Sequence, residues 1–219
     1  MRFFWINLDS AVHRRETIEK EFTYNNIEHT RVTAYQSPNK TKNGYENACT
    51  RSHIQAIIHY LLTTNDEYAL ICEDDTTFEL KPFWKNSVEY VIDNAPSNWG
   101  IIQLATILQG IESKFSNKDL YFKYSEQKTS STLAYAIKRQ CAIKLINLYL
   151  ENNDIYKTPP LDAFNGGIYD NVDKYTEYTT YTYKYPMFIY PDDNDSSIGN
   201  SLDLHISSKR QLLKYLQKM

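Results

Sequence analysis

Cysteine is scarce in this chain. The 219 residues hold only Cys49, Cys72 and Cys141, an odd and widely separated set in apolar or helical contexts that suit buried, reduced thiols rather than a disulfide framework. No His/Cys cluster has the spacing of a zinc site. An excess of charge is missing too: Lys+Arg 24 against Asp+Glu 27 leaves a net charge of -3. With no basic block along the chain, nucleic acid is not an expected partner. Long apolar runs are absent. The segment Met1–Asp9 has one basic residue and an apolar stretch too short for a secretory signal, and no run approaches bilayer-spanning length. The expectation is therefore a chain without a transmembrane segment, located in the cytoplasm. There is no Gly-rich phosphate loop and no Ser nucleophile elbow, which argues against a P-loop NTPase or a hydrolase. The run Asp192-Asp193-Asn194-Asp195-Ser196 has the composition of a calcium loop but lacks the Gly and closing Glu at the required offsets.

What the sequence does have is a run of three carboxylates, Glu73-Asp74-Asp75, directly after the apolar segment Tyr68-Ala69-Leu70-Ile71-Cys72. A short aliphatic run after the turn-like Thr63-Thr64-Asn65-Asp66 reads as a buried parallel strand. Its carboxyl end would present the acids at the mouth of a sheet, where open α/β sheets bind ligands. Adjacent acids repel unless a cation neutralises them, and Mg2+ or Mn2+ prefers oxygen ligands and bridges to phosphates. A sugar-nucleotide diphosphate suits such a place; a solvated acidic turn is the plainer alternative.

The pattern along the chain is α/β. Strands are expected at Phe3 to Leu8, His29 to Ala34, Tyr68 to Cys72, Trp99 to Leu108, Tyr121 to Tyr124 and Thr132 to Ile137. Helices are expected over Ala11 to Phe22, Phe83 to Asn94, Arg139 to Glu151 and the tail from Lys209 to Met219. Another, Ala48 to Leu62, carries Ile54, Ile57, Ile58, Leu61 and Leu62 as an apolar stripe. Gln36 to Asn47, rich in turn formers, reads as a loop. No repeat or linker interrupts the chain, so one domain is expected over 1–219.

Several motifs in order resemble glycosyltransferase family 25, which includes lipooligosaccharide galactosyltransferases and collagen hydroxylysine galactosyltransferases. They are Ile6-Asn7-Leu8-Asp9 with Arg14-Arg15, Ala48-Cys49-Thr50-Arg51-Ser52-His53, Leu70-Ile71-Cys72-Glu73-Asp74-Asp75, Trp99-Gly100-Ile101-Ile102-Gln103-Leu104, Thr132 to Ile137, Pro160-Leu161-Asp162-Ala163-Phe164, and Tyr185 to Pro191 ending in Asp195-Ser196-Ser197-Ile198. Ala48 stands where the family usually has Gly, Arg51 where it has an apolar residue, and Phe164 where its second acidic motif continues with a carboxylate. The resemblance implies a GT-A fold, a Rossmann-like nucleotide-binding mixed sheet flanked by helices, with 1–108 as the nucleotide-sugar half and 109–219 as the acceptor half. It further implies a UDP-sugar donor, Mn2+ (or Mg2+), and inverting transfer of a hexose to a glycan or a hydroxylated protein side chain. A catalytically inactive sugar-nucleotide- or glycan-binding module of the same fold is the alternative.

Within that resemblance, Asp75 is the expected metal ligand. Glu73 would contact the ribose or a metal-bound water, and Asp74 would ligate or hold the loop. Asp162 is the expected base, its rival role being a helix N-cap. Asn7, Leu8 and Asp9 would read uracil or ribose, although Asn7 equally suits closing a loop onto backbone. Arg14 and Arg15 would reach the nucleotide or line a charged outer helix face. Ser52 and His53 would touch the nucleotide, or else cap a helix and pack internally. His205 would supply a final metal ligand or lie on the surface. The loops Gly110 to Lys118 and Asn152 to Asp170 would build the acceptor site.

Overall fold

Five consecutive large residues, Phe3-Phe4-Trp5-Ile6-Asn7, are all buried and form β1 (Phe3–Asn7). A strand apolar on both faces belongs in the middle of a sheet covered on both sides. The computed structural model of the chain describes residues 2–107, 118–126, 131–152, 167–191 and 202–217, with 151–152 and 202–205 described by backbone alone. Asp162 and the Asp192-to-Ser196 run lie outside the described residues.

In chain order the further elements are α1 (Val12–Tyr24), β2 (His29–Thr33), α2 (Lys42–Thr63), β3 (Tyr68–Glu73), α3 (Val88–Asp93), β4 (Trp99–Gln103), β5 (Tyr121–Lys123), β6 (Ala134–Lys138), α4 (Arg139–Asn152), α5 (Gly167–Tyr175), β7 (Thr179–Tyr183) and α6 (Leu202–Leu216). The strands make one seven-stranded sheet in the order β2-β1-β3-β6-β4-β7-β5. β1 runs parallel to β2 and β3. β6 lies antiparallel between β3 and β4, and β7 is parallel to β4. The carboxyl ends of β1, β3 and β4 therefore share one edge with the start of β6, and the acidic triplet leaves the sheet there.

Alternation along the strands divides the core in two. Phe3, Trp5, Leu70, Cys72, Ala134, Ala136, Tyr181 and Tyr183 face one layer with Ile18 and Phe22 of α1, Val91 of α3 and Leu212 of α6. Phe4, Ile6, Ala69, Ile71, Tyr135 and Ile137 face the other with Ile54 and Ile57 of α2, Leu145 of α4 and Val172 of α5. At Gly100 the β4–β7 register shifts, and a Cβ there would lie 2.6 Å from Cys141 Sγ and 2.6 Å from Tyr178 Cβ. Only a residue without a side chain lets α4 close onto the sheet at this point.

Several boundaries differ from the sequence expectation. α2 begins at Lys42, inside the stretch read as loop, because Thr41 caps it by accepting a hydrogen bond from the Gly44 N–H at 3.1 Å. Its buried side centres on His53, Ala56, Ile57 and Tyr60, while Leu62, placed in the expected stripe, is 80% exposed. The helix expected from Phe83 is a single 3-10 turn, Lys81–Phe83, followed by α3 from Val88, whose N-cap Ser87 accepts from Tyr90 N–H. β7 and α5 were not expected at all, and α6 starts well before Lys209.

Candidate active site

The edge defined by the carboxyl ends of β1, β2 and β3 opens into a cleft of ≈ 890 Å3, a figure that includes its open mouth. Its lining includes Asn7 at the end of β1 and Leu8 just after it, Arg14 from α1, Tyr35 after β2, Cys49, Ser52 and His53 from α2, and Glu73 at the end of β3 with Asp74 after it. Residues far apart in sequence thus converge beside two of the three acids, Glu73 and Asp74, while Asp75 is not among the residues that line the cleft.

The three carboxylates leave β3 into three different surroundings. Glu73 turns toward α2 and β6: its Oε1 accepts a hydrogen bond from the Thr132 hydroxyl at 2.7 Å and lies 3.4 Å from His53 Nε2. Burial pushes its carboxyl up, but the His53 contacts, the Thr132 bond and the Arg14 charge together hold it below the ordinary value. Asp74 turns toward β1 and α1. It accepts from Asn7 Nδ2 at 2.6 Å and pairs with Arg14 at 3.3 Å; burial outweighs both partners and raises its pKa. Among the described residues, Asp75 Oδ1 is buried with no hydrogen-bond partner. Burial, then the negative charges of Glu73 and Asp74, push it up to about 7. A nearby cation would favour the charged form of a carboxyl so placed, and hard divalent ions take oxygen ligands.

Asn7 is the joint between β1 and the triplet. Besides Asp74, its Nδ2 donates to Ala11 O at 3.1 Å, and its Oδ1 accepts from Arg31 Nε at 2.9 Å. Its side chain is engaged on every side and fixes the β1–α1 loop. Asp9 is 72% exposed and paired with Arg31, and Arg15 donates to the Asp9 carbonyl at 2.9 Å. Arg14 alone of the two arginines lines the cleft. Ser52 is buried, donates to Ala48 O at 2.7 Å and accepts from Tyr35 N–H at 2.8 Å. It does not cap a helix but ties the β2–α2 loop to the middle of α2. His53 is buried, with Nδ1 at 3.2 Å from the Tyr135 hydroxyl.

Sequence reasoning missed β6's contribution. Ser131 has φ 128, a strained value for a residue with a Cβ. It is held by Gln103 Nε2 and the Tyr169 hydroxyl, which donate to its carbonyl at 2.7 and 3.0 Å. Thr76 Oγ1 donates to Leu133 O at 3.0 Å, locking the segment after the triplet to β6. Cys49 was also overlooked: with His53 and Glu73 it places three ligand atoms within 4.8 Å of one another. The i, i+4 spacing on a helix was the available signal. His205 falls in the first turn of α6, and its side chain lies outside the described atoms.

A mixed seven-stranded sheet flanked by helices, with acids at the carboxyl edge of its central strands, is a GT-A glycosyltransferase architecture. A crystal structure of a glycosyltransferase involved in the glycosylation of the major capsid of PBCV-1 is similar over 97% of this chain and 98% of that one, with TM-score 0.51 and 10% identity. The glycosyltransferase GlyE of Streptococcus pneumoniae TIGR4 is more remote, with TM-score 0.45 and 8% identity over 99% of this chain and 64% of that one. No curated protein sequence matches the chain. Residues 43–163, more than half of the chain, match the model of glycosyltransferase family 25 (LPS biosynthesis protein), and the chain belongs to that family. Among the described residues no helix is long and apolar enough to cross a membrane.

Proposed function

We propose that this glycosyltransferase moves a hexose from a UDP-sugar to a hydroxyl of a glycan or a hydroxylated protein side chain, with inversion and with help from a divalent cation such as Mn2+. The observation that carries the reading is Asp75: a carboxyl with a buried, unpartnered oxygen, raised to about 7 by burial and by two adjacent acids. Asp75 and Glu73 would hold the cation, with His205 a further ligand. A bound cation would neutralise the diphosphate as it departs.

The chain's own residues account for the rest. Arg14, facing the cleft beside Asp74, offers fixed positive charge to a phosphate. Tyr35, with the Arg51 guanidinium 3.9 Å from its ring centroid, and Tyr45 give the cleft wall aromatic faces for the nucleobase. Leu8 borders the same wall, while Asn7 and Ser52 position rather than touch. Asp162 is assigned as the base. It takes the proton of the acceptor hydroxyl while that oxygen bonds to the sugar's C1 and the C1–phosphate oxygen bond breaks, releasing UDP. One displacement inverts the anomeric centre.

The test is incubation with Mn2+ and a panel of nucleotide sugars, following release of nucleoside diphosphate and the anomeric configuration of any product by NMR. Slow donor hydrolysis from a UDP-hexose, abolished by chelation, supports the proposal. Donor binding without turnover would make the chain a binding module of the same fold, and release of the diphosphate without added cation would remove the metal's role.

A further inference from the structure

The floor of the cleft holds a second set of ligand atoms, softer than the acidic triplet. Cys49 and His53 lie one turn apart on α2, and Glu73 meets them from the end of β3, so that Cys49 Sγ, a His53 ring nitrogen and a Glu73 oxygen lie within 4.8 Å of one another. His53 is 1% exposed, and among the described residues its Nε2 has no well-directed hydrogen-bond partner. The atom facing it is Glu73 Oε1 at 3.4 Å. Two ligands at about 2.0 Å from a tetrahedral zinc ion stand about 3.3 Å apart, so this pair already has the spacing of a shared metal.

The surroundings suit the same occupant. The Tyr135 hydroxyl, 3.2 Å from His53 Nδ1, can accept a hydrogen bond from that nitrogen once a cation replaces the proton on Nε2, the arrangement found behind metal-bound histidines. Thr132 orients Glu73 by its 2.7 Å hydrogen bond and reaches the Cys49 sulfur as well. Cys49 is only partly buried and lines the cleft, which gives a cation a way in. A thiolate, an imidazole and a carboxylate form a donor set that selects zinc over Mn2+ or Mg2+.

We propose that Cys49, His53 and Glu73 form a binding site for a zinc-class cation at the base of the cleft, linking α2 to β3 with the fourth position open to solvent. It shares Glu73 with the cation assigned to Asp75 and differs from it in its thiolate and imidazole donors. Binding replaces the thiol proton of Cys49, which leaves to solvent, and involves no redox step.

The experiment titrates metal-free full-length protein with Co2+ and then displaces it with Zn2+. A near-ultraviolet thiolate-to-cobalt charge-transfer band that saturates at one equivalent, and that one equivalent of Zn2+ removes, is expected. Cys49→Ser abolishes the band although Cys72 and Cys141 remain, and His53→Gln weakens zinc binding by more than the about 10–100-fold typical of losing a supporting contact to a ligand. Asp75→Asn keeps the band, which separates this site from the cation of the transfer reaction. A folded wild-type protein without the band, or a band unchanged in Cys49→Ser, overturns the proposal; because the wild-type result alone can do so, a variant that fails to fold does not protect it.

Discussion

Asp75→Asn should make the metal-free protein more stable above neutral pH, against the usual cost of altering a buried polar residue. In the folded chain the Asp75 carboxyl is raised from 3.8 to about 7, first by burial and then by Glu73 and Asp74. A carboxyl raised on folding binds its proton more tightly in the native state, so stability falls as pH rises from about 4 to about 7 and stays lowered beyond. The shift of roughly three pH units corresponds to about 4 kcal/mol. Asn keeps the shape without the charge, but its amide inherits a site where Oδ1 has no partner, costing about 1–3 kcal/mol. The variant should therefore gain about 1–3 kcal/mol over wild type at pH 8 and lose about 1–3 kcal/mol at pH 4. Glu73, held below its ordinary value, acts oppositely: its contribution is present above about pH 4.5 and is lost on acidification, equally in both proteins. Urea unfolding in chelator at pH 4, 6 and 8 reads the difference directly. Equal stabilities of the two proteins at pH 8, or a difference that does not vary with pH, would refute the reasoning. Adding Mn2+ at pH 8 should stabilise wild type and not the variant.

Arg14→Met leaves Asp74, 7% exposed, without its cation; because Arg14 is itself one-third exposed, the loss should be about 1–2 kcal/mol in urea unfolding, together with weaker UDP-sugar binding by calorimetry. Gly100→Ala puts a Cβ 2.6 Å from two atoms at the β4–β7 irregularity, and should lower stability by about 1–3 kcal/mol with little change in donor affinity. Asp162→Asn should lower kcat at least about 100-fold while donor binding measured by calorimetry is unchanged; retained turnover would move the base elsewhere.

How much of this was legible depended on whether a residue's role was set locally. The strands β1 and β3 announced themselves, because a strand covered on both faces must be apolar throughout, and the acids after Cys72 then had to emerge at its carboxyl end. β7 was illegible for the opposite reason. Thr179-Thr180-Tyr181-Thr182-Tyr183 has no aliphatic residue, yet Tyr181 and Tyr183 fill one core layer while Thr182 donates to Gln103 Oε1 at 2.9 Å on the other face. The fit of those tyrosines depends on β4 and β5, which no local pattern encodes. Asn7 was read as a base-reading residue or a loop closure; its bond to Ala11 O is that local closure, whereas Asp74 and Arg31 are supplied by long-range packing that only the folded chain reveals. Zinc-like ligation was excluded on linear spacing, and the grouping of Cys49, His53 and Glu73 arises from a helix meeting a strand.

The antiparallel placement of β6 explains why three neighbouring acids take different roles. A parallel strand beside β3 would end where β3 ends, but β6 begins there, so its first residues lie alongside the triplet: Glu73 N–H donates to Leu133 O at 2.9 Å and Thr132 meets the Glu73 side chain. That contact turns Glu73 toward α2. The chain then turns, with Thr76 N–H donating to Glu73 O at 3.2 Å and Thr76 Oγ1 bonded to Leu133 O, which leaves Asp74 on the β1 side, where Asn7 and Arg14 receive it. Asp75 is left between them with neither a basic partner of its own nor a hydrogen bond at Oδ1. Ser131 supports this division, its strained φ of 128 fixed by Gln103 and Tyr169. Relaxing that backbone would shift Thr132 and release Glu73, so the strain at the head of β6 and the raised carboxyl of Asp75 belong to one arrangement, in which stability is lost at both points and the three acids are held in three different surroundings.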